Sequence, residues 1–455
     1  MSRATTKRAS FDTLPIVNPD AAGLDIGSDE IWACVPLGRD PQPVRQFGTF
    51  TPDLHRLADW LATCHVNTVA MESTGVYWIP IFELLEARGL KPQVVNARHL
   101  KNVPGRKSDW QDCQWIQRLH TVGLLSASFR PEAELCALRA YLRHRTTLLE
   151  YRAAHIQHMQ KALQQMNVQL TQVLSDITGD TGLAIIRAIV AGQRDPVVLA
   201  RLRDPHCVSS EEKIAQALSG HYRAEHLFAL KQALELFDFY TQELRACDTE
   251  IELQFQALKP TTSAALPPLE PLDKRSHSKN QPAYDVRTLL YQVTGVDLVA
   301  ISGLNALTVQ TIVSENGTDL TAFPSEKHFC SWLGLAPHND ISGGKVLRSR
   351  TLKNRNRAGQ AFRLAAQSVS RSESALGAFY RRMKARLGPK QAIVATAHKI
   401  ARIFYHVLKE HQPFEPLGAV EYEKQFRDRE ILHLRRKAAK LGLCLVESPA
   451  EASAS

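Results

Sequence analysis

A chain of 455 residues, 44% hydrophobic and 22% charged, has the length of two to four domains and the balance of a globular protein, which excludes wholesale disorder. Lys and Arg outnumber Asp and Glu by 56 to 46, and the resulting net charge of +10 favours polyanionic partners. No apolar run approaches the roughly 20 residues of a membrane span, because Arg187 interrupts the best stretch, LAIIRAIVAG. The N-terminus, MSRATTKRAS, has no apolar core behind it, so no secretory signal is expected. The eight cysteines are scattered without a CxxC pair, which argues for reduced thiols in a cytoplasmic protein rather than a disulfide framework or a zinc ribbon.

Residues 1–20 read as a loose basic arm. From Ala21 onward, GLDIG and IWACVP predict two strands joined by a tight turn at Ser28-Asp29-Glu30, and VRQFGTF predicts a third. A helix follows from about Pro52 to Cys64, then a strand in NTVAME, a helix in VYWIPIFELLEARG, a strand in KPQVVN and a helix in SDWQDCQWIQRLHTVG. Three strands, helix, strand, helix, strand, helix over 21–130 is the order of a ribonuclease-H-like α/β domain.

From Pro131 the period changes. Positions 135 to 177 follow a strict 3,4 alternation, and eleven of its thirteen positions are apolar, which predicts a long coiled-coil helix. Arg145 and Arg152 interrupt this seam. A second run from Leu227 to Leu258 has Thr241 and Asp248 at its polar seam positions, so a long antiparallel hairpin over 131–258 is expected. Residues 259–283 hold five prolines and read as a linker, extending to 285. The unit at 286–412 reads as helical. Its ISGLN segment predicts two short helices joined through Gly303, a helix-hairpin-helix-like turn whose backbone N–H groups could hold a phosphate. Residues 413–455 form a charged tail with a basic helix, for which a solvated face is the simpler account.

Four carboxylates stand out. Asp25 lies inside an apolar strand, where a carboxylate is costly unless it is paired or holds a metal. Glu72 closes the fourth strand before STG. Asp109 and Asp112, three apart in SDWQD, share one helix face. Strand ends one and four are neighbours in a ribonuclease-H-like sheet, so the four acids could converge there on Mg²⁺, one ion or two, and serve phosphoryl transfer. Taken singly, Asp109 is equally a helix-start acid and Glu72 a surface residue.

The segment FCSWLGLAPHNDISGGKVLRSRTLKNRNRAGQ carries a second candidate. Ser342 precedes Gly343 and Gly344, then Lys345, Arg348, Arg350, Lys353, Arg355 and Arg357 with no acid among them. A hydroxyl beside paired glycines and cations suits attack on phosphate, since glycines admit close backbone approach and cations balance developing charge. The bland alternative is a turn serine before a basic, nucleic-acid-contacting loop.

The succession GLDIG, MESTGVYW, KSDWQDCQWI, a long helical middle, ISGLNALTVQTIVSE and WLGLAPHNDISGGK resembles the DEDD transposases of the insertion-sequence 110/1111 type, from about residue 21 to 410. The stretch DITGDTGLAIIRAIVAGQRDPVVLARLRD is closest to the 1111 branch. The resemblance implies a RuvC-like domain with Asp25, Glu72, Asp109 and Asp112 as metal ligands. It also implies that Ser342, in the C-terminal transposase domain, forms a covalent phosphoserine link with DNA. It further implies a structured non-coding guide RNA pairing with donor and target DNA, a homo-oligomer (dimer or tetramer), and a bacterial cytoplasmic enzyme that associates with the nucleoid when it acts. Phosphate contacts by Lys345, Arg348 and Arg350 are a hypothesis that the motif does not itself supply. Two other functions fit parts of the pattern: a junction-resolvase-like nuclease that uses water as nucleophile, and a non-enzymatic nucleic-acid scaffold.

Overall fold

The computed structural model describes residues 14–72, 75–95, 109–260, 266–271, 280–351 and 356–446. The chain divides into two compact units, one ending at Arg130 and one starting at Pro131.

The first unit is built on a five-stranded sheet. Its strands are β1 (Ala21–Ile26), β2 (Glu30–Cys34), β3 (Val44–Gly48), β4 (Thr68–Glu72) and β5 (Lys91–Val95), in the spatial order β3-β2-β1-β4-β5. The three N-terminal strands pair antiparallel, whereas β4 runs parallel to both β1 and β5. Strand alternation sorts the side chains onto two faces. Leu24, Ile26, Ile31, Ala33, Val69 and Met71 form a dry layer with helices α1 (Thr51–Thr63) and α2 (Trp78–Ala87). On the opposite face Ala70 and Val95 pack with Ile116 and Leu119 of helix α3 (Asp109–Thr121). Every strand and helix expected over 21–130 occurs within a few residues of its expected place.

The second unit begins with α4 (Ala133–Gln165), which packs along α9 (Ala224–Ala257). Partner numbers fall on one helix as they rise on the other: Tyr141 meets Cys247, Arg145 meets Asp248, Tyr151 meets Tyr240 and Arg152 meets Phe237. The pair is therefore antiparallel. Its seam layer at Arg145 and Asp248 is a buried ion pair, further tied by Arg145 Nη2 donating to the Asn280 carbonyl (3.1 Å) and the Ala283 N–H donating to Asp248 Oδ2 (3.3 Å).

The single helix expected from 135 to 177 is corrected here, because α4 stops at Gln165. Asn167 takes a left-handed backbone (φ 54°), and the Met166 carbonyl accepts from the His221 N–H (2.7 Å) instead of from a further helical turn. The apolar residues that continue the periodicity, Leu170, Val173 and Ile177, join a separate cluster with four short helices: α5 (Leu170–Val173), α6 (Asp180–Val190), α7 (Pro196–Ala200) and α8 (Glu211–Leu218). At the end of the proline-rich stretch, Pro282 and Tyr284 are buried, and Gln310 donates to the Tyr284 hydroxyl (2.6 Å).

The remainder is mainly helical: α10 (Val286–Thr294), α11 (Ala306–Asn316), α12 (Glu326–Trp332), α13 (Arg357–Ser368), α14 (Ala375–Leu387), α15 (Pro389–Glu410) and α16 (Ala419–Lys440). Phe329, Phe362 and Phe404 are fully buried at its centre, with ring centroids 5.4–6.3 Å apart. Arg143 of α4 holds the buried Glu315 of α11 through a two-pronged ion pair (2.8 and 2.9 Å). The helical reading of 286–412 did not foresee an antiparallel hairpin of β6 (Pro337–Ser342) and β7 (Lys345–Thr351) within the unit. Two consecutive glycines permit the tight reversal. The ISGLN expectation is also corrected in part: only a single 3-10 turn, Leu298–Ala300, precedes the segment, and α11 follows it with Asn305 as N-cap.

Candidate active site

Asp25 is the fifth residue of β1 and Glu72 the last of β4. The parallel register pairs Leu24 with Met71, so continuing it by one residue sets Asp25 alongside Glu72 at the C-terminal ends of neighbouring strands. Alternation puts both on the face opposite Leu24 and Met71, the face that α3 covers.

Gly23 is what allows α3 to come so close. A β-carbon there would lie 2.3 Å from the Gln117 nitrogen and 2.4 Å from the Cys113 carbonyl oxygen, both backbone atoms that cannot swing away. Asp112 immediately precedes Cys113, so the contact that seats α3 on β1 also sets the height of Asp112 along the strand. Asp109 is placed only as the first residue of α3. The Cys113 thiol is raised strongly by a hydrogen bond with Cys34, then by burial and by the neighbouring Cys34 and Asp25 charges. Cys113 of α3 and Asp25 of β1 are thus close enough for their charges to interact. The sequence offered Gly23 only as part of GLDIG. A glycine one alternation step before a half-buried strand carboxylate was the signal for the helix contact. Among the described residues no three His, Cys, Asp or Glu side chains draw together as a cation cage.

Gly23→Ala is expected to destabilise the first unit by about 1–3 kcal/mol through overpacking against α3. Thermal denaturation of the variant checks this.

Ser342 lies at the exposed tip of the β6–β7 hairpin, directly opposite Lys345. Gly343 (φ 54°) and Gly344 (φ 76°) form the two-residue loop, and positive φ at both positions is the backbone of a type I′ turn. The Gly-Gly pair between Ser342 and Lys345 thus forms the hairpin turn, and the two strands that flank it were not expected from the sequence. Arg348 and Arg350 are exposed on β7, across from Asp340 and His338 respectively. Leu347 has no cross-strand partner, because the register shifts between Asp340 and Ile341. Arg357 opens α13 and is exposed. Lys353 and Arg355 lie outside the described residues.

Gly303 has φ +93°, and a β-carbon there would meet the Ala365 carbonyl oxygen at 2.8 Å and Val369 Cγ1 at 2.5 Å. The Ser368 hydroxyl donates to its carbonyl (3.1 Å). The glycine therefore serves close packing of the turn against the end of α13. Among the described residues no helix is long and apolar enough to cross a membrane.

Two family models match the chain. One describes the DEDD transposases of the IS110 type and matches residues 22–168; the other describes the transposase IS116/IS110/IS902 family and matches residues 297–381. Together they span about half of the chain and include Asp25, Glu72, Asp109, Asp112 and Ser342. No curated protein sequence matches the chain. Transposases of the DEDD type generally use divalent metal ions, and their substrate is DNA. With the acidic strand ends inside the first match and the serine hairpin inside the second, the chain belongs to the IS110-type DEDD transposases and is a DNA transposase/recombinase of an insertion sequence.

Proposed function

We propose that the enzyme cleaves and exchanges DNA strands under the guidance of an RNA, with Ser342 as nucleophile and Asp25, Glu72, Asp109 and Asp112 as ligands of Mg²⁺. The observation that carries the acidic half is the placement of Asp25 and Glu72 on one sheet face, under the helix that bears Asp109 and Asp112. A strand order of β3-β2-β1-β4-β5, with β4 and β5 parallel to β1, supports reading this unit as RuvC-like, a ribonuclease-H-type fold.

An all-carboxylate donor set fits Mg²⁺, a hard cation that takes oxygen ligands. When bound there, the metal would supply charge stabilisation at the phosphoryl oxygens. The chain's own residues do the rest. Ser342 Oγ attacks phosphorus, the Oγ–P bond forms as a P–O bond to one deoxyribose oxygen breaks, and that oxygen leaves with the proton that the serine gives up. The type I′ turn holds the hydroxyl out at the tip without bulky neighbours, since both following residues lack side chains. In this reading Lys345 and Arg348 balance charge on the phosphate, and Arg350, Lys353, Arg355 and Arg357 supply further cations for the nucleic-acid backbone.

The antiparallel α4–α9 pair is the proposed coiled coil, and a dimer or tetramer is the proposed assembly. Guidance by a structured RNA of the 1111-like branch assigns sequence choice to base pairing and leaves the protein to hold backbones by charge. Purification of the enzyme from cells carrying the whole element, followed by sequencing of the bound RNA, tests this. A discrete transcript from the element's flank is the expected result, and a background of unrelated cellular RNA would remove guidance from the proposal.

A further inference from the structure

Four polar residues interrupt the apolar seam of the α4–α9 pair, and two of them, Arg145 and Asp248, neutralise each other. The same antiparallel register sets the other two opposite one another, Arg152 facing Thr241, seven residues further along each helix. A threonine cannot neutralise a guanidinium. At this layer the pair opens into a groove of about 710 Å³, walled also by Arg187, Gln242, Arg245 and Asn280. That volume is in the range of small-molecule sites, about 300–1,000 Å³. On α9, Asp238, Thr241, Gln242 and Arg245 follow the 3,4 spacing of a single helix face.

Among the described residues that line this groove, three arginines, Arg152, Arg187 and Arg245, face two carboxylates. Both of its acids are engaged: Asp238 takes a two-pronged ion pair from Arg187 (2.7 Å on each oxygen), and Asp176 accepts from the N–H and the hydroxyl of Thr178 (2.7 Å each). Arg152 and Arg245 form no ion pair among the described residues. Arg152 Nη2 donates to Asn280 Oδ1 (2.8 Å), a neutral acceptor, and its guanidinium lies 5.9 Å from the Phe237 ring centroid. Burial, and then the positive charge of Arg145, lower the Arg152 pKa. A half-buried cation in this position is costly until an anion joins it. Planar guanidinium forks match phosphate oxygens in pairs. Most of the groove is built from α9, α6 and the turn before α6, which lie between the two stretches that the family models match.

We propose that this groove is a phosphate-binding site, in which Arg152 and Arg245 clasp a phosphoryl group with the Gln242 amide as a further donor. The phosphoryl group belongs either to a nucleic acid strand or to a free phosphorylated small molecule. The groove shares no residue with the proposed serine and acidic sites, and its test needs neither.

Isothermal titration calorimetry on the full chain, in chloride buffer without divalent metal, decides the matter with two probes: pyrophosphate and a short single-stranded DNA. Saturable one-to-one pyrophosphate binding is expected. Arg152→Gln and Arg245→Gln are each expected to weaken it at least about tenfold, the scale of one lost charge-assisted contact. Thermal melting followed by circular dichroism verifies that the variants fold. If Arg152→Gln melts early, the exposed Arg245→Gln carries the test. Parallel loss of DNA affinity, with pyrophosphate competing for the DNA, supports the site and assigns it to a strand phosphate. Unchanged DNA affinity beside weakened pyrophosphate binding supports the site and assigns it to a free phosphorylated ligand. No saturable pyrophosphate binding, or wild-type affinity in both variants, overturns the site.

Discussion

A Ser342→Ala enzyme is expected to lose strand exchange and every covalent protein–DNA adduct together, by about a thousandfold or more, as when a nucleophile is removed from other enzymes. The hairpin tip is exposed, and the serine side chain supports no packing there, so folding is expected to be unaffected. Denaturing gel electrophoresis of supercoiled DNA incubated with the enzyme, before and after protease, reads the adduct directly. Glu72→Gln, assayed in the same way, keeps the side chain's shape and removes its charge, and it is expected to abolish both activities as well. The pair of variants separates the mechanisms. An enzyme in which Ser342→Ala still cuts at the normal rate while Glu72→Gln does not would be a nuclease that uses water, and the serine would be a turn residue.

The largest expected effect on stability belongs to Asp248. Its carboxylate and the Arg145 guanidinium are both more than nine-tenths buried, between two long helices. Asp248→Ala leaves that guanidinium in an apolar seam with only the Asn280 carbonyl to receive it, and should cost about 3–5 kcal/mol. Replacing both residues by leucine, by contrast, should cost little or even stabilise, since the desolvation penalty disappears along with the attraction. Urea denaturation of the single and double variants gives the comparison. Equal losses in the two would mean that the layer's packing, rather than its charge, is what the pair supplies.

The first unit was legible from its letters because short strands with two-residue alternation and single helices between them leave little choice of arrangement. Asp25 was legible for the same reason, since a carboxylate in GLDIG has no apolar excuse. Periodicity failed at Met166 because Leu170, Val173 and Ile177 continue the 3,4 spacing while a distant residue, His221, takes the carbonyl that would have carried the helix on. Only tertiary structure brings those two together. In ISGGKV the two glycines fit a close approach to phosphate as well as a two-residue turn, and only cross-strand pairing over Pro337–Thr351 shows that they form such a turn. The polar seam residues were visible as interruptions, but which closed on each other and which stood open depended on the register between helices.

That register has a mechanical corollary. Sliding α4 past α9 by one heptad, about 10 Å at 1.5 Å per residue, would bring Arg152 opposite Asp248 and drive Arg145 against Phe255, a fully buried ring. The apolar layers alone would tolerate the slip, but it would bury the Arg145 guanidinium with no carboxylate opposite it. One ion pair thus acts as a detent on an otherwise smooth rail, so force applied along the two rods passes from end to end without being lost in sliding.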